Sequence, residues 1–163
     1  MPRVRFILGL AFAAFAGCSG YSTESLIDPH YKTVYVKTFD NQTFYRGYEQ
    51  TLTREFINQM NARTRLRIAP LGKADSIISG QITAFTQQVL TQDVNDNVRE
   101  LQIVLTVDMN WTDAKTGKLI RATHGLQLAD RVKFDIGQTL NTQTPGLFSD
   151  VAVRLVESLE ASW

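Results

Sequence analysis

The sequence predicts an α/β (α+β) two-layer sandwich, with four main β-strands in a mixed, largely antiparallel sheet covered by two α-helices. Three observations carry this. Residues 101–111 alternate apolar and polar side chains with a period of two, as in a strand buried on one face only. Two segments, 44–60 and 147–159, repeat apolar side chains every fourth residue, as in helices with one apolar stripe. Clusters of turn residues separate these segments into the order β-α-β-β-β-α, with an extra short strand near 65–68.

The stretch Thr33-Val34-Tyr35-Val36-Lys37-Thr38-Phe39 is rich in β-branched and aromatic residues and reads as the first strand. Asp40-Asn41-Gln42-Thr43 is a turn cluster, with Thr43 placed to cap a helix. That helix carries Phe44, Tyr48, Leu52, Phe56 and Met60 on one face. The concentration Tyr35, Phe39, Phe44, Tyr45 and Tyr48 then packs strand one against helix one, or else marks a partner surface. Arg63, Arg65 and Arg67 alternate with Thr64, Leu66 and Ile68, which suits a short edge strand with one basic face.

Residues 74–91 form a long extended stretch. Ile78, Ile82 and Ala84 share one parity, and Phe85 and Val89 the other, so a bulge is expected near residue 85. Residues 93–97 are a polar hairpin loop. In the third strand Leu101, Ile103, Leu105, Val107, Met109 and Trp111 face the core. Gln102, Thr106, Asp108 and Asn110 face outward. Gly117 supplies the positive φ of the next tight turn. Leu119 to Leu128 returns as the fourth strand, with Ile120, Ala122, His124, Leu126 and Leu128 on its apolar parity. Residues 130–143 are polar and irregular. Thr144-Pro145 then opens a terminal helix that ends near Trp163.

The N-terminus has a different character. Arg3 and Arg5 precede an uncharged run, Phe6 to Ala16, that is too short to span a bilayer, which takes roughly 20 apolar residues. It ends in Phe15-Ala16-Gly17-Cys18, the pattern of a lipoprotein signal: small side chains beside the scissile bond, then a thiol to take up lipid. Phe15 departs from the usual Leu. Residues 1–17 are therefore expected to be removed as a signal peptide, Cys18 to carry the lipid, residues 18–32 to form a tether and residues 33–163 to form one domain. Cys18 is the only cysteine, so it has no disulfide partner within the chain. Ser19, where Asp would resemble an inner-membrane retention signal, favours delivery to the outer membrane.

The mature chain would have 146 residues, with 15 basic and 16 acidic groups, a balance that excludes bulk electrostatic binding of nucleic acid. Motifs for catalysis are missing. There is no Gly-x-Ser-x-Gly elbow, no phosphate-cradling glycine loop and no Cys/His cluster with metal spacing, so neither cofactor nor metal is expected. His124 reads as a structural histidine, and Asp93 and Asp96 as a solvated turn. Arg99, Arg131 and Lys133 are the candidate cations for an anionic ligand.

The run Val34 to Glu49 (VYVKTFDNQTFYRGYE) resembles the opening strand and helix of the lipopolysaccharide-assembly lipoproteins, the LptE family. Ala74-Asp75-Ser76-Ile77-Ile78-Ser79-Gly80, Asn97-Val98-Arg99-Glu100, and Trp111-Thr112-Asp113 leading to Lys115-Thr116-Gly117 are similar to further landmarks, in the same order. The resemblance implies a non-catalytic lipoprotein on the periplasmic side of the outer membrane. It would plug and help assemble the LptD β-barrel and contact lipopolysaccharide on its way to the cell surface. No short motif fixes the glycolipid contacts, so Arg99, Arg131 and Lys133 stand on charge alone. The competing expectation is a lipoprotein adaptor or activator of another periplasmic machine, such as cell-wall synthesis.

Overall fold

A computed structural model of the chain describes residue 27 and residues 29–94, 97–133 and 144–160. The signal peptide, Cys18, Asp96 and Trp163 lie outside the described residues. Two helices pack on one face of a mixed, open six-stranded sheet, the two-layer α+β arrangement expected. The strands are β1 (Thr33–Val36), β2 (Asp40–Asn41), β3 (Arg67–Ile68), β4 (Ser76–Gln92), β5 (Val98–Asp113) and β6 (Leu119–Lys133). The helices are α1 (Tyr48–Arg63) and α2 (Pro145–Glu160).

Across the sheet the order is β3-β1-β4-β5-β6. β1 and β2 lie in succession along the same edge of β4 and run parallel to it. The long strands β4, β5 and β6 form an antiparallel meander. Leu101, Ile103, Leu105, Val107, Met109 and Trp111 are all buried, as their alternation predicts. Phe56, Met60 and Leu52 of α1, and Leu147, Val151, Leu155 and Leu159 of α2, close the core over them. Each such aliphatic or aromatic side chain contributes about 1.5–3 kcal/mol by leaving water. Trp111 is buried with its indole N–H unpartnered among the described residues, and its ring meets Tyr31 edge to face at 5.5 Å.

Several elements depart from the sequence reading. α1 begins at Tyr48, behind Gly47 at φ 90°, and not at Thr43. Local hydrogen bonds capture the intervening residues. The Asn41 carboxamide oxygen accepts from the Thr43 N–H (2.8 Å) and hydroxyl (2.7 Å), and its amide donates to the Tyr45 carbonyl (2.7 Å) and to Glu49 (2.8 Å). Glu49 in turn accepts the Gly47 N–H. Side-chain bonds of this kind offer the backbone an alternative to helix. The aromatic group is split as a result. Phe39 is core, Tyr48 is partly buried against Phe85 and Phe148, and Phe44 is 98% exposed.

The basic edge strand shrinks to Arg67–Ile68. Arg63 ends α1, and Leu66 between them is buried. The bulge of β4 falls at Thr83, between Ile82 and Ala84, so Ala84 joins the outward face opposite Thr106. β6 has its own register shift, where β5 residues 107 and 109 face Leu126 and Thr123. Gly125 sits there at φ 62°. The shift turns Ala122 outward, opposite Asn110, and leaves His124 exposed at the kink rather than on the apolar face.

Candidate functional site

The face of the sheet opposite the helices carries no helix among the described elements. Register defines its side chains. On β4 they are Ser79, Gln81, Ala84, Thr86 and Gln88; on β5, Glu100, Gln102, Val104, Thr106, Asp108 and Asn110; on β6, Ala122, Gln127, Ala129, Arg131 and Lys133. The β5 members are all half-buried, alternating strictly with buried neighbours. The face is thus polar along most of its length, dominated by amides and hydroxyls; Val104 lies within it, and Tyr35, Ile77 and Leu119 gather at the end where β1 joins.

A chain of hydrogen bonds crosses it. Gln42 donates to Gln81 (3.0 Å), Gln81 donates to Asp108 (3.3 Å), and Asp108 accepts the Gly125 N–H (2.7 Å). The chain links the segment after β2 to β4, β5 and β6. The Gly125 N–H holds the Asp108 carboxyl below the usual carboxylate range, with smaller help from Gln81 and the nearby His124 and against opposing desolvation. A depressed folded pKa stabilises the native state above the unfolded value, about 3.9, and that stability is lost as pH falls through the folded value. Asp108→Asn should therefore lower the urea midpoint at pH 7. The gap to the parent should close as the pH drops below about 3.9, the free Asp value. A gap of equal size at pH 7 and pH 3 would show that the charge is irrelevant.

The three candidate cations do not form one cluster. Arg131 and Lys133 lie on the open face, directly across from Gln102 and Glu100. Arg99 has the opposite parity and is engaged elsewhere. Its guanidinium meets the Asp93 carboxylate at 2.8 Å, and Asp93 also accepts from the Asn97 N–H and side-chain amide. Arg99 braces the β4–β5 hairpin. Alternation exposed the β5 side of the face in the sequence. The β4 side was partly legible from its change of parity, expected near residue 85 and found between Ile82 and Ala84; the β6 side was hidden, because its shift at Gly125 shows only against the partner strand.

Among the described residues no group of three or more His, Cys, Asp or Glu side chains is placed to hold a metal ion. No described helix is long and apolar enough to cross a membrane, which says nothing of β-barrels. His124 and Asp108 are electrostatic neighbours, but the carboxylate is held by Gly125 and Gln81 in the sheet network.

Fold and face together define a small α+β domain that keeps one side of its sheet for its core and presents the other as a polar surface. The chain belongs to the LptE lipopolysaccharide-assembly family, whose sequence model matches residues 31–159. Its lipoproteins are non-catalytic, and a role in lipopolysaccharide assembly follows from membership. No curated protein matches the sequence significantly. The fold is similar to that of lipoprotein B from Nitrosomonas europaea, at 16% identity and TM-score 0.56 over 88% of this chain and 90% of that one. It is also similar to a Xanthomonas campestris protein (9% identity, TM-score 0.57, 80% and 87% covered). A third similar fold is the PelC dodecamer subunit of Paraburkholderia phytofirmans (15% identity, TM-score 0.51, 89% and 96% covered).

Proposed function

We propose that the protein is an outer-membrane lipoprotein, held on the periplasmic side by lipid on Cys18. In this reading it plugs and helps assemble an LptD-type β-barrel and assists lipopolysaccharide transport to the surface. Residues 1–17 are its signal peptide, 18–32 its tether and 33–163 its functional domain. The observation that carries the barrel reading is the open, polar sheet face. The interior of a membrane barrel is polar, while its lipid side is apolar. A plug therefore has to offer hydrogen-bonding groups along its length, which is what Gln81, Gln88, Gln102, Thr106, Asn110 and Gln127 supply. Arg131 and Lys133, at one end of that face, are placed to pair with lipid phosphates through charge-assisted hydrogen bonds. Arg99, tied to Asp93, is the weaker of the three candidates.

Affinity purification from detergent-solubilised outer membrane should recover a large barrel protein in roughly equal amount, and repeated recovery of none would sink the reading. Thr106→Arg, in the middle of the face, should reduce that recovery without moving the unfolding temperature. Undiminished recovery would assign the barrel contact to another surface.

A further inference from the structure

The tether enters the domain at Lys32, and the end of the sheet it enters carries a row of cations. Backbone bonds tie that row together. Arg67 donates its N–H to the Lys32 carbonyl (3.0 Å), and the Asp113 N–H bonds to the Lys118 carbonyl (2.9 Å). The Lys73 carbonyl accepts from the Thr33 hydroxyl (3.4 Å), and Ala114, next to Lys115, donates its N–H to the Asp75 carbonyl (2.9 Å). Lys32, Arg67, Lys73, Lys115 and Lys118 thus belong to one edge of the five-strand path. It covers four strand intervals, roughly 20 Å at about 4.8 Å each. All five side chains are exposed, and none joins an ion pair among the described residues.

Among the described residues two carboxylates at this end, Asp75 and Asp113, bond to the protein itself; the Thr33 hydroxyl does most to lower the Asp75 pKa, and the charge of Lys115 adds to the lowering. Asp75 accepts from the Thr33 hydroxyl (2.8 Å), the Thr33 N–H and the Lys32 N–H. Asp113 accepts from the Thr116 hydroxyl and N–H, the Lys115 N–H and Tyr31. Aliphatic side chains lie among the cations: Ile68 is 38% exposed, Leu71 57% and Leu119 52%. Exposed aliphatics interleaved with lysine and arginine are the chemistry of a bilayer interface, where both headgroup charge and acyl boundary are met. The core of a protein–protein interface is, by contrast, depleted in lysine.

We propose that, before a barrel takes the domain in, this end of the sheet docks on the anionic phospholipid headgroups of the leaflet that holds the anchor. The long axis of the sheet then stands on the membrane. The 17-residue β4 carries the β4–β5 hairpin away from the headgroups by roughly 55 Å, at about 3.3 Å per residue. The inference rests on anchoring at Cys18 and deepens it: the lipid holds the protein, and the basic end orients it.

Cys18 is the only native cysteine, so a lipidated protein accepts a unique probe elsewhere. Gly72→Cys places a fluorophore within the basic end, where an added side chain meets open space; Val94→Cys places one on the hairpin. On phosphatidylcholine vesicles containing phosphatidylglycerol, the probe at 72 should enter an apolar environment while the probe at 94 stays in water. Salt, omission of phosphatidylglycerol, or the combined Lys73→Gln, Lys115→Gln and Lys118→Gln variant should abolish the difference. Equal response at 72 and 94, or no effect of phosphatidylglycerol or of the triple variant, overturns the proposal. If Cys18 carries a free thiol and the protein does not float with neutral vesicles, it is the anchoring reading that falls. The docking face is then judged by flotation with phosphatidylglycerol vesicles. The triple variant should bind these on the order of a hundredfold more weakly, and equal binding overturns the proposal.

Discussion

Leu105→Asp should abolish folding, whereas Thr106→Asp, one residue further on, should leave a native domain. Leu105 is fully buried in the middle of β5, with Phe85 opposite on β4 and Leu128 opposite on β6. Removing a buried leucine costs about 2–5 kcal/mol in lost burial and cavity. An unpaired carboxylate in its place adds a desolvation penalty, or protonates at a further cost. A domain of this size has about 5–15 kcal/mol of total stability, so the sum is enough to unfold it. Thr106 points to the open face, half-exposed, opposite Ala84 and Gln127. A carboxylate there keeps its water. Far-UV circular dichroism with thermal melting separates the two outcomes. If Leu105→Asp melts like the parent, the inward parity of β5 is wrong and the two faces of the sheet are exchanged.

That contrast works because β5 is the most legible element of the sequence. Its ladder partners lie on both sides, and a central strand cannot shift by one residue without inverting its faces. The helices were legible in type and approximate extent for the same reason: their apolar stripes repeat without interruption. What could not be read were the places where a side chain competes with the backbone, the phase change of β6, and the residue at which β4 changes phase. Asn41 carries no sign in the sequence that its side chain will hold residues 43–47 out of a helix, so the periodic Phe44 reads as core and is solvent-exposed. Thr83 and Gly125 displace register by one residue, and a reading that carried the same parity past them placed Ala122 and His124 on the wrong side. Those shifts matter for function. They decide which residues of β4 and β6 reach the open face, so that face was fully visible in the sequence only along β5. The cations divide for a related reason. Arg99 stands in the hairpin entry, where Asp93 is six residues away across the turn, while Arg131 and Lys133 ride on a strand whose phase its neighbour sets.

Gly80→Ala should destabilise the domain by about 1–3 kcal/mol, the usual cost of inserting atoms into a packed core. At the sensitivity typical of domains of this size, the larger figure lowers the unfolding midpoint by about 10 °C. Gly80 lies on the inward face of β4, opposite Met109. The ring of Phe39 rests on it, 1% exposed and edge to face with Phe56 at 5.6 Å. A β-carbon at position 80 would overlap two atoms of that ring, and it would also stand 2.7 Å from the Asp108 carbonyl oxygen. The ring is able to move; the carbonyl is fixed in the β4–β5 ladder. Phe39→Leu in the Gly80→Ala background should therefore recover part of the loss and not all of it, and the two substitutions should be clearly non-additive. Full recovery would mean the ring alone made the conflict, and a Gly80→Ala melt indistinguishable from the parent would remove the argument. The stakes extend beyond the core. Phe39 fills the gap between β1 and β2, and its N–H is held at 2.9 Å by the Thr53 hydroxyl of α1. That seat lets the chain drop into the core after β1 and return to the sheet as β2, two residues before Gln42 reaches Gln81 on the open face. Loss of the Phe39 seat should thus loosen the Gln42–Gln81–Asp108 chain as well, and weaken the polar face from the side its own residues do not control.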